Sequence, residues 1–241
     1  IQEVDFRSKR SYRVDQYMAI QGTLAEYHGV SATNYKSAFV PSPALAPMGK
    51  VHAGLATFGR HSAANATRVS TPGSYAWPMR LFMLKRCFLV SRYRVGDGRF
   101  LVLFNIHNSA FDDAAGLRDQ ELQLLRKLAM EEYEKGNYVV IGGDWNQNPP
   151  GWEPRTAVKY QVKNLWPIDK QYFPAQWTWA FDPGLPTNRE VSTPFDPEGT
   201  NCTLLDFFLV SPNVKVESVK TIDLEFKYSD HLPVVMRFRL M

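Results

Sequence analysis

Residues 138–146 read YVVIGGDWN, and this stretch decides how the rest of the fold is interpreted. Its first four residues are a short, continuous apolar run, which is typical of a buried β-strand. The run leads into Gly142-Gly143-Asp144, so a carboxylate is expected where the strand ends. An aspartate after a strand usually forms a turn or caps a helix. On its own, Asp144 is therefore weak support for a catalytic site.

The sequence on either side of this strand contains many β-rich runs and few helices. Residues 115–135 form the clearest predicted helix, because leucines recur on one face and Gly136 follows. A second helix-like spacing covers residues 13–28. The β-rich runs are residues 54–58, 81–95, 100–106, 204–210, 216–226 and 232–240. The second and third of these runs flank Gly96-Asp97-Gly98, which predicts a β-hairpin.

Residues 30–53, 60–79 and 147–200 are predicted to be mainly loops, with prolines concentrated in the first and last of these segments. Many short strands with few helices predict an α/β fold. The expected architecture is a four-layer α/β sandwich, in which two packed mixed β-sheets are flanked by helices. We expect a single domain over residues 1–241, since this length can bury a sizeable core.

Composition limits the function classes only loosely. The net charge of +4 and the pI of about 9.0 fit an anionic substrate but are too small to establish nucleic-acid binding. The two cysteines, Cys87 and Cys202, are expected to be buried free thiols. No apolar run approaches the length of a membrane span, which predicts a soluble domain.

Several acidic or polar side chains fall at the ends of predicted strands. They are Gln2-Glu3, His107, Asp144-Trp145-Asn146, Asp206 and Ser229-Asp230-His231. Taken singly, each has a more ordinary explanation as a turn former, a helix cap or a surface residue. Asp206 is the exception, because it lies inside the apolar run 204–210, where a carboxylate needs a partner or a function. A histidine would be its natural partner.

Together and in this order, these residues resemble the endonuclease/exonuclease/phosphatase (DNase-I-like) superfamily. The patterns that carry the resemblance are Gln2-Glu3, Asn105-x-His107, Gly143-Asp144-x-Asn146, Asp206 with Ser211 five residues later, and Ser229-Asp230-His231-x-Pro233. They span nearly the whole chain. Arg118-x-x-Glu121 is also similar to the family's helix after the histidine strand, where an arginine often faces the substrate phosphate.

The resemblance implies a magnesium site with the following roles. Glu3 is the principal Mg²⁺ ligand, with Mn²⁺ as a possible substitute, and Asp230 binds the same or a second metal position. Asp144 holds the attacking water, and Asn146 donates to a phosphate oxygen.

The remaining roles belong to groups that contact the phosphate or its substituent. His231, oriented by Asp206, acts as general base or stabilises the pentacovalent state. His107 donates a hydrogen bond to a non-bridging oxygen, and Arg118 faces the substrate phosphate. Apart from the resemblance, Trp145 lies between Asp144 and Asn146 in the sequence, so it is expected near the metal site, where an exposed ring could stack on a substrate base or sugar.

The resemblance also predicts sequence upstream of Ile1. The family has an asparagine on a first core strand that precedes the Gln-Glu motif, and no such strand is present here. We therefore expect the natural polypeptide to extend upstream by roughly thirty or more residues, about one β-α-β unit. The cellular compartment is left undetermined, because that segment could carry a signal peptide or a membrane anchor.

The expected function is metal-dependent hydrolysis of an anionic phosphoester. The substrate is left open between a small molecule, a lipid headgroup and a nucleic acid, and a nuclease is the named alternative. A non-catalytic binding protein on this fold is less favoured, because the constellation is intact. No obligate protein partner is inferred, and a monomer is expected. The segment Thr187-Asn188-Arg189 and the tryptophans Trp152 and Trp177 are interpreted as ordinary loop and packing residues.

Overall fold

The computed structural model of the protein describes residues 1–73, 77–78, 81–96, 98–110, 116–154, 160–162 and 165–241. The helices in these residues are α1 (Gln16–Thr23), α2 (Leu117–Glu134) and a single 3₁₀ turn (Lys170–Tyr172). The strands are β1 (Val4–Asp5), β2 (His28–Val40), β3 (Gly49–Gly59), β4 (Asn65–Ser70), β5 (Cys87–Arg94), β6 (Phe100–His107), β7 (Tyr138–Asp144), β8 (Gln161–Val162), β9 (Thr178–Ala180), β10 (Asn188–Arg189), β11 (Asn201–Thr203), β12 (Asp206–Val210), β13 (Val214–Thr221) and β14 (Val234–Leu240). The chain divides into two compact units, residues 1–137 and 138–241.

The first unit contains two antiparallel arrangements of strands. One sheet has the order β1-β3-β2, and in the other β5 lies between β4 and β6. Ala32 and Leu55 pack with Cys87 and Leu89 in one buried cluster, so β2 and β3 contact β5 through apolar side chains. This packing is the sheet-on-sheet core that the many short strands predict.

Helix α2 confirms the clearest helix prediction, although it begins at Leu117 and ends at Glu134. Its buried face includes Leu122, Leu125 and Ala129. The chain leaves the helix through Gly136, whose positive φ of 84° is the conformation that favours glycine after a helix. The helix matters for the site because its first turns contact the loop that follows β6.

The second unit is built around β12, which pairs antiparallel with β7 on one side and β9 on the other. A small sheet has the order β10-β11-β8, and β13 pairs antiparallel with β14. The register of β12 and β7 sets Asp206 directly opposite Asp144. Two carboxylates from separate parts of the sequence are therefore neighbours at one end of this sheet.

The prediction of a loop over residues 30–53 is wrong. Residues 28–40 and 49–59 form the longest hairpin of the described chain, and only the connection between its strands is irregular. The prolines that favoured a loop, Pro41, Pro43 and Pro47, all lie in that connection. The rest of the segment has small, aromatic and β-branched residues that suit a pleated, half-buried surface.

The prediction for residues 60–79 is wrong in part, because residues 65–70 form the edge strand β4. The hairpin prediction is confirmed by the pairing of β5 with β6, although β5 begins at Cys87 rather than at residue 81. Asp97 of its turn lies outside the described residues. Cys87 and Cys202 are buried and free, as expected. In the described residues, no helix is long and apolar enough to cross a membrane.

Candidate active site

Asp206 has the histidine partner that its burial predicts. Its Oδ2 atom lies 2.7 Å from Nδ1 of His231, and the two side chains are 14% and 30% exposed. A carboxylate at this distance fixes the hydrogen of the neutral ring on Nδ1. The other ring nitrogen, Nε2, is therefore the one that can act on a ligand.

Three carboxylates determine the charge of His231. Burial lowers the pKa of the imidazole, but the charge and hydrogen bond of Asp206, together with the charges of Asp144 and Asp230, raise it to about 10. The imidazolium form is thus strongly favoured where no metal ion offsets the acidic groups. His231 and these three carboxylates form one electrostatic cluster within the second unit.

The geometry at the end of β7 explains the two glycines that precede Asp144. A Cβ atom at residue 142 would collide with the ring of Phe208 on β12, and Gly143 has a φ of 144°. Asn146 has a φ of 51°, a conformation that asparagine tolerates. Its backbone N–H and side-chain amide donate to the two oxygens of Asp144 at 2.9 and 3.1 Å, so Asp144 and Asn146 form one unit.

The segment Thr187-Asn188-Arg189, which the sequence suggested to be an ordinary loop, holds the cluster around His231 together. The Thr187 hydroxyl accepts hydrogen bonds from the backbone N–H groups of Leu205 and Asp206 at 3.0 and 2.9 Å. The amide of Asn188 lies 2.9 Å from Nε2 of His231. No periodicity signals this role, because it depends on the antiparallel pairing of residues 188 and 203. Only the presence of polar residues between prolines could have indicated it.

Asp230 is held by the same segment through its backbone. Its carbonyl accepts the N–H of Arg189 at 2.9 Å, and the hydroxyl of Ser229 lies 3.4 Å from its carboxylate. The side chain adds to the negative potential at His231. It therefore belongs to the acidic cluster around His231, and its role as a metal ligand stays a prediction.

The first unit brings Glu3 and His107 together. Oε1 of Glu3 is 3.8 Å from Nε2 of His107, and its Oε2 is 3.8 Å from Arg10. Glu3 has a φ of 55°, which is strained for a residue with a long side chain. Upstream, Gln2 donates to Asn105 at 2.7 Å, so the motif residues on β6 anchor the Gln-Glu segment.

Arg118 has a local partner that the sequence did not predict. Its Nε donates to the carbonyl of Ser109 at 3.0 Å, and its terminal nitrogen donates to the carbonyl of Ala110. Glu121 accepts from the backbone and the hydroxyl of Ser109, both at 2.8 Å. The first turns of α2 therefore clamp the loop that follows His107. A phosphate contact by Arg118 stays a prediction.

Trp145 does not fit the role of a substrate-binding residue. Its side chain is completely buried, its ring stacks on Phe207 at 4.8 Å, and its Nε1 donates to the Phe207 carbonyl. We correct that expectation, because a ring with no exposed surface cannot stack on a ligand. Trp152 and Trp177 are also buried, as expected for tryptophans that pack loops.

The donor types suit a hard divalent cation. The carboxylate of Glu3 is 61% exposed, and its contacts with Arg10 and His107 are both 3.8 Å long. Mg²⁺ prefers such oxygens and commonly takes one or two carboxylates while keeping several waters. Within the described residues, no group of three or more His, Cys, Asp or Glu side chains is arranged to hold a metal ion. The residues therefore fit a water-rich magnesium site better than an all-protein cage.

Comparison with known proteins identifies the class. The sequence matches the Endonuclease/Exonuclease/phosphatase family over residues 1–231. The chain belongs to this family. A search of curated proteins found no significant match.

Solved structures agree with this assignment at the level of the fold. An endonuclease/exonuclease/phosphatase from Beutenbergia cavernae is similar with a TM-score of 0.63 and 19% identity, covering 94% of this chain and 57% of that chain. TDP2 of D. rerio, complexed with single strand DNA product, is similar with a TM-score of 0.57 and 12% identity, covering 92% of this chain and 80% of that chain. A mannosyl-6-phosphatase of Bacteroides thetaiotaomicron is similar with a TM-score of 0.57 and 15% identity, covering 93% of this chain and 81% of that chain. The fold is thus the DNase-I-like α/β sandwich that the sequence predicts.

Proposed function

We propose that the protein is a Mg²⁺-dependent phosphoester hydrolase, with Mn²⁺ as a possible substitute. The observation that carries the proposal is the 2.7 Å pair of His231 and Asp206 beside Asp144. Glu3 and Asp230 are the proposed metal ligands. Membership of the family supports the reaction class.

Each site residue of the second unit has a definite part in the proposed reaction. Asp144 is proposed to accept a hydrogen bond from the attacking water and to orient it, while Asn146 donates to a phosphoryl oxygen. His231 donates from Nε2, because Asp206 occupies Nδ1, and so it stabilises the charge that develops on the phosphate or the leaving oxygen. Of the two roles predicted for His231, this one agrees with its three carboxylate neighbours.

The other groups complete the binding of the phosphate. His107 is proposed to donate to a non-bridging oxygen. A bound Mg²⁺ ion would supply Lewis-acid polarisation of the phosphoryl group. The amide nitrogen of Asn188 lies 2.9 Å from Nε2 of His231 and orients the ring beside the position proposed for a substrate oxygen. The bond between phosphorus and the leaving oxygen breaks as the bond to the water oxygen forms. The leaving oxygen takes up a proton from His231, and the proton that the attacking water loses restores the imidazolium form.

The substrate proposed is an anionic phosphoester. The similar structures include one with a DNA product and one of a sugar-phosphate phosphatase, so they support phosphoester chemistry without selecting one substituent. A nuclease that uses the same residues is the alternative, and the modest net charge of +4 does not favour it.

The proposal is tested with bis-p-nitrophenyl phosphate, whose hydrolysis needs no particular substituent pocket. Turnover is measured with Mg²⁺ or Mn²⁺, and again after addition of a chelator. We expect release of p-nitrophenol that stops with the chelator and returns with excess metal. Release at the same rate in the presence of chelator would reject the metal dependence. No release under any condition would count against the reaction class.

A further inference from the structure

The hairpin of β2 and β3 ends in an uncharged loop that has no part in the proposed reaction. Residues 41–47 read PSPALAP and are named here the apolar tip. Leu45 is completely exposed, and Phe39, just before the tip, is half exposed. Single exposed apolar residues are common. A proline-rich tip with a leucine at its centre and no charged side chain is unusual on a surface that faces only water.

Three exposed lysines lie near the base of the apolar tip. Lys50 is the second residue of β3, and Lys36 pairs with His52 in the β2–β3 register. Lys9 comes from a separate loop, where its N–H donates to the carbonyl of Lys50 at 2.8 Å and its side chain lies across Gly49. We name Lys9, Lys36 and Lys50 the basic collar.

The strands that carry Lys36 and Lys50 contain no acidic residue. No aspartate or glutamate occurs between Glu26 and Asp97. The adjacent Asp5 is buried and accepts hydrogen bonds from Ser8 and Arg10. Burial and the charges of Lys36 and Lys50 lower the pKa of His52 and outweigh the opposite effect of Asp15 and Asp5. The basic collar can therefore attract an anionic surface.

The loop that carries Lys9 is preorganised. Arg7, Tyr12 and Arg13 all have positive φ angles, between 53° and 64°. Such strain persists only where surrounding contacts impose it, and here the backbone N–H groups of Arg7 and Arg13 donate to the carbonyls of Val14 and Ser8 at 3.2 and 2.9 Å. The result is that Tyr12 projects into solvent with 93% exposure, while its N–H donates to the carbonyl of Lys9 at 3.0 Å. Tyrosine is one of the side chains enriched at membrane interfaces.

We propose that this face of residues 1–137 docks onto an anionic lipid surface, with the apolar tip among the lipids and the basic collar against their headgroups. Apolar side chains beside basic ones are the combination that binds such surfaces. A nucleic acid would also be attracted by the lysines, but it would leave Leu45 and Phe39 in water. The inference goes beyond the proposed function, since binding to a membrane requires no turnover.

The test is flotation of the protein with lipid vesicles. One set contains phosphatidylcholine alone, and the other contains phosphatidylcholine and phosphatidylserine in equal parts. We expect binding to the mixed vesicles that weakens with added salt and weaker binding to the neutral ones. Leu45→Asp should abolish binding, and the double substitution Lys9→Ala/Lys50→Ala should weaken it roughly twenty- to thirtyfold. Matched controls are Val191→Asp and Lys215→Ala/Lys220→Ala, at exposed positions in the second unit, which should bind as the wild type does.

Three outcomes would decide against the docking proposal. Wild-type protein that stays unbound with mixed vesicles overturns it, and so does Leu45→Asp that binds them equally well. Binding to a single-stranded oligonucleotide that is lost in the lysine variant but kept in Leu45→Asp would make the collar a nucleic-acid surface instead. Thermal unfolding of every variant shows that it is folded. Vesicle binding by a protein without phosphoesterase activity would uphold the docking and reject the proposed function, so the two failures are distinguishable.

Discussion

At the scale of single residues, the imidazole of His231 is held at both nitrogens. Asp206 lies 2.7 Å from one and the Asn188 amide 2.9 Å from the other. The sequence could predict the first partner, because a carboxylate within an apolar run needs one. It could not predict the second, because a two-residue strand at residues 188 and 189 has no periodic pattern.

Replacing His231 by alanine should reduce turnover by on the order of a hundredfold or more, because the reaction loses its proton donor. Asp206→Asn should also reduce turnover, since an amide no longer favours the required tautomer. The check is kcat with bis-p-nitrophenyl phosphate at saturating metal, alongside thermal unfolding. His61→Ala, at an exposed histidine, is the control. Wild-type turnover in His231→Ala would refute the role of this residue.

Asn188→Ala tests the positioning of His231. We expect kcat to fall by on the order of tenfold to a hundredfold with KM nearly unchanged, because a misplaced imidazole affects the transition state more than substrate binding. Asn65→Ala, exposed on β4, is the matched control. A loss confined to KM would instead make Asn188 a simple binding residue.

At the scale of elements, helix α2 combines a packing role with a positioning role. Its N-terminal turns clamp the loop after His107 through Arg118 and Glu121, and its C-terminal turn ends in a buried ionic network. In that network Glu132 accepts from Arg92, Lys135 and Asn137 at 3.0, 2.9 and 2.8 Å. The leucine spacing predicted the helix, but these polar partners come from distant strands and loops and leave no local signal.

The Glu132 network predicts a loss of stability in acid. Burial raises the pKa of Glu132, but the hydrogen bonds from Arg92 and Lys135 outweigh it and hold the pKa below its usual value of 4.5. A depressed pKa means that the stabilisation is complete above 4.5 and is lost as the pH falls through the folded-state value. Glu132→Gln should therefore lower the free energy of unfolding by about 1–3 kcal/mol at neutral pH. The difference from wild type should shrink below about pH 4.

Urea unfolding of wild type and Glu132→Gln at several pH values measures this effect. Glu131→Gln, whose side chain is half exposed and pairs with Lys127 at 4.0 Å, is the neighbouring control and should change stability little. An equal difference between Glu132→Gln and wild type at acidic and neutral pH would contradict the depressed pKa.

At the scale of the whole molecule, the sequence sufficed for the family and for the fold class. The motifs from Gln2-Glu3 to Ser229-Asp230-His231 are ordered along the chain, and their joint occurrence is far more specific than any one of them. The long hairpin of residues 28–59 was predicted only at residues 54–58, because the prolines of its connection favoured a loop over residues 30–53. Loop-borne features such as Trp145 were misjudged, because burial depends on packing partners far away in sequence.

The measurement that tests the central claim most directly is a Mg²⁺ titration of phosphodiester turnover in wild type and Glu3→Ala. Glu26→Ala, at another exposed glutamate of the first unit, is the control. If Glu3 is the principal metal ligand, Glu3→Ala should need much more Mg²⁺ and reach a lower maximal rate, while Glu26→Ala follows the wild-type curve. Superimposable curves for Glu3→Ala and wild type would contradict the account.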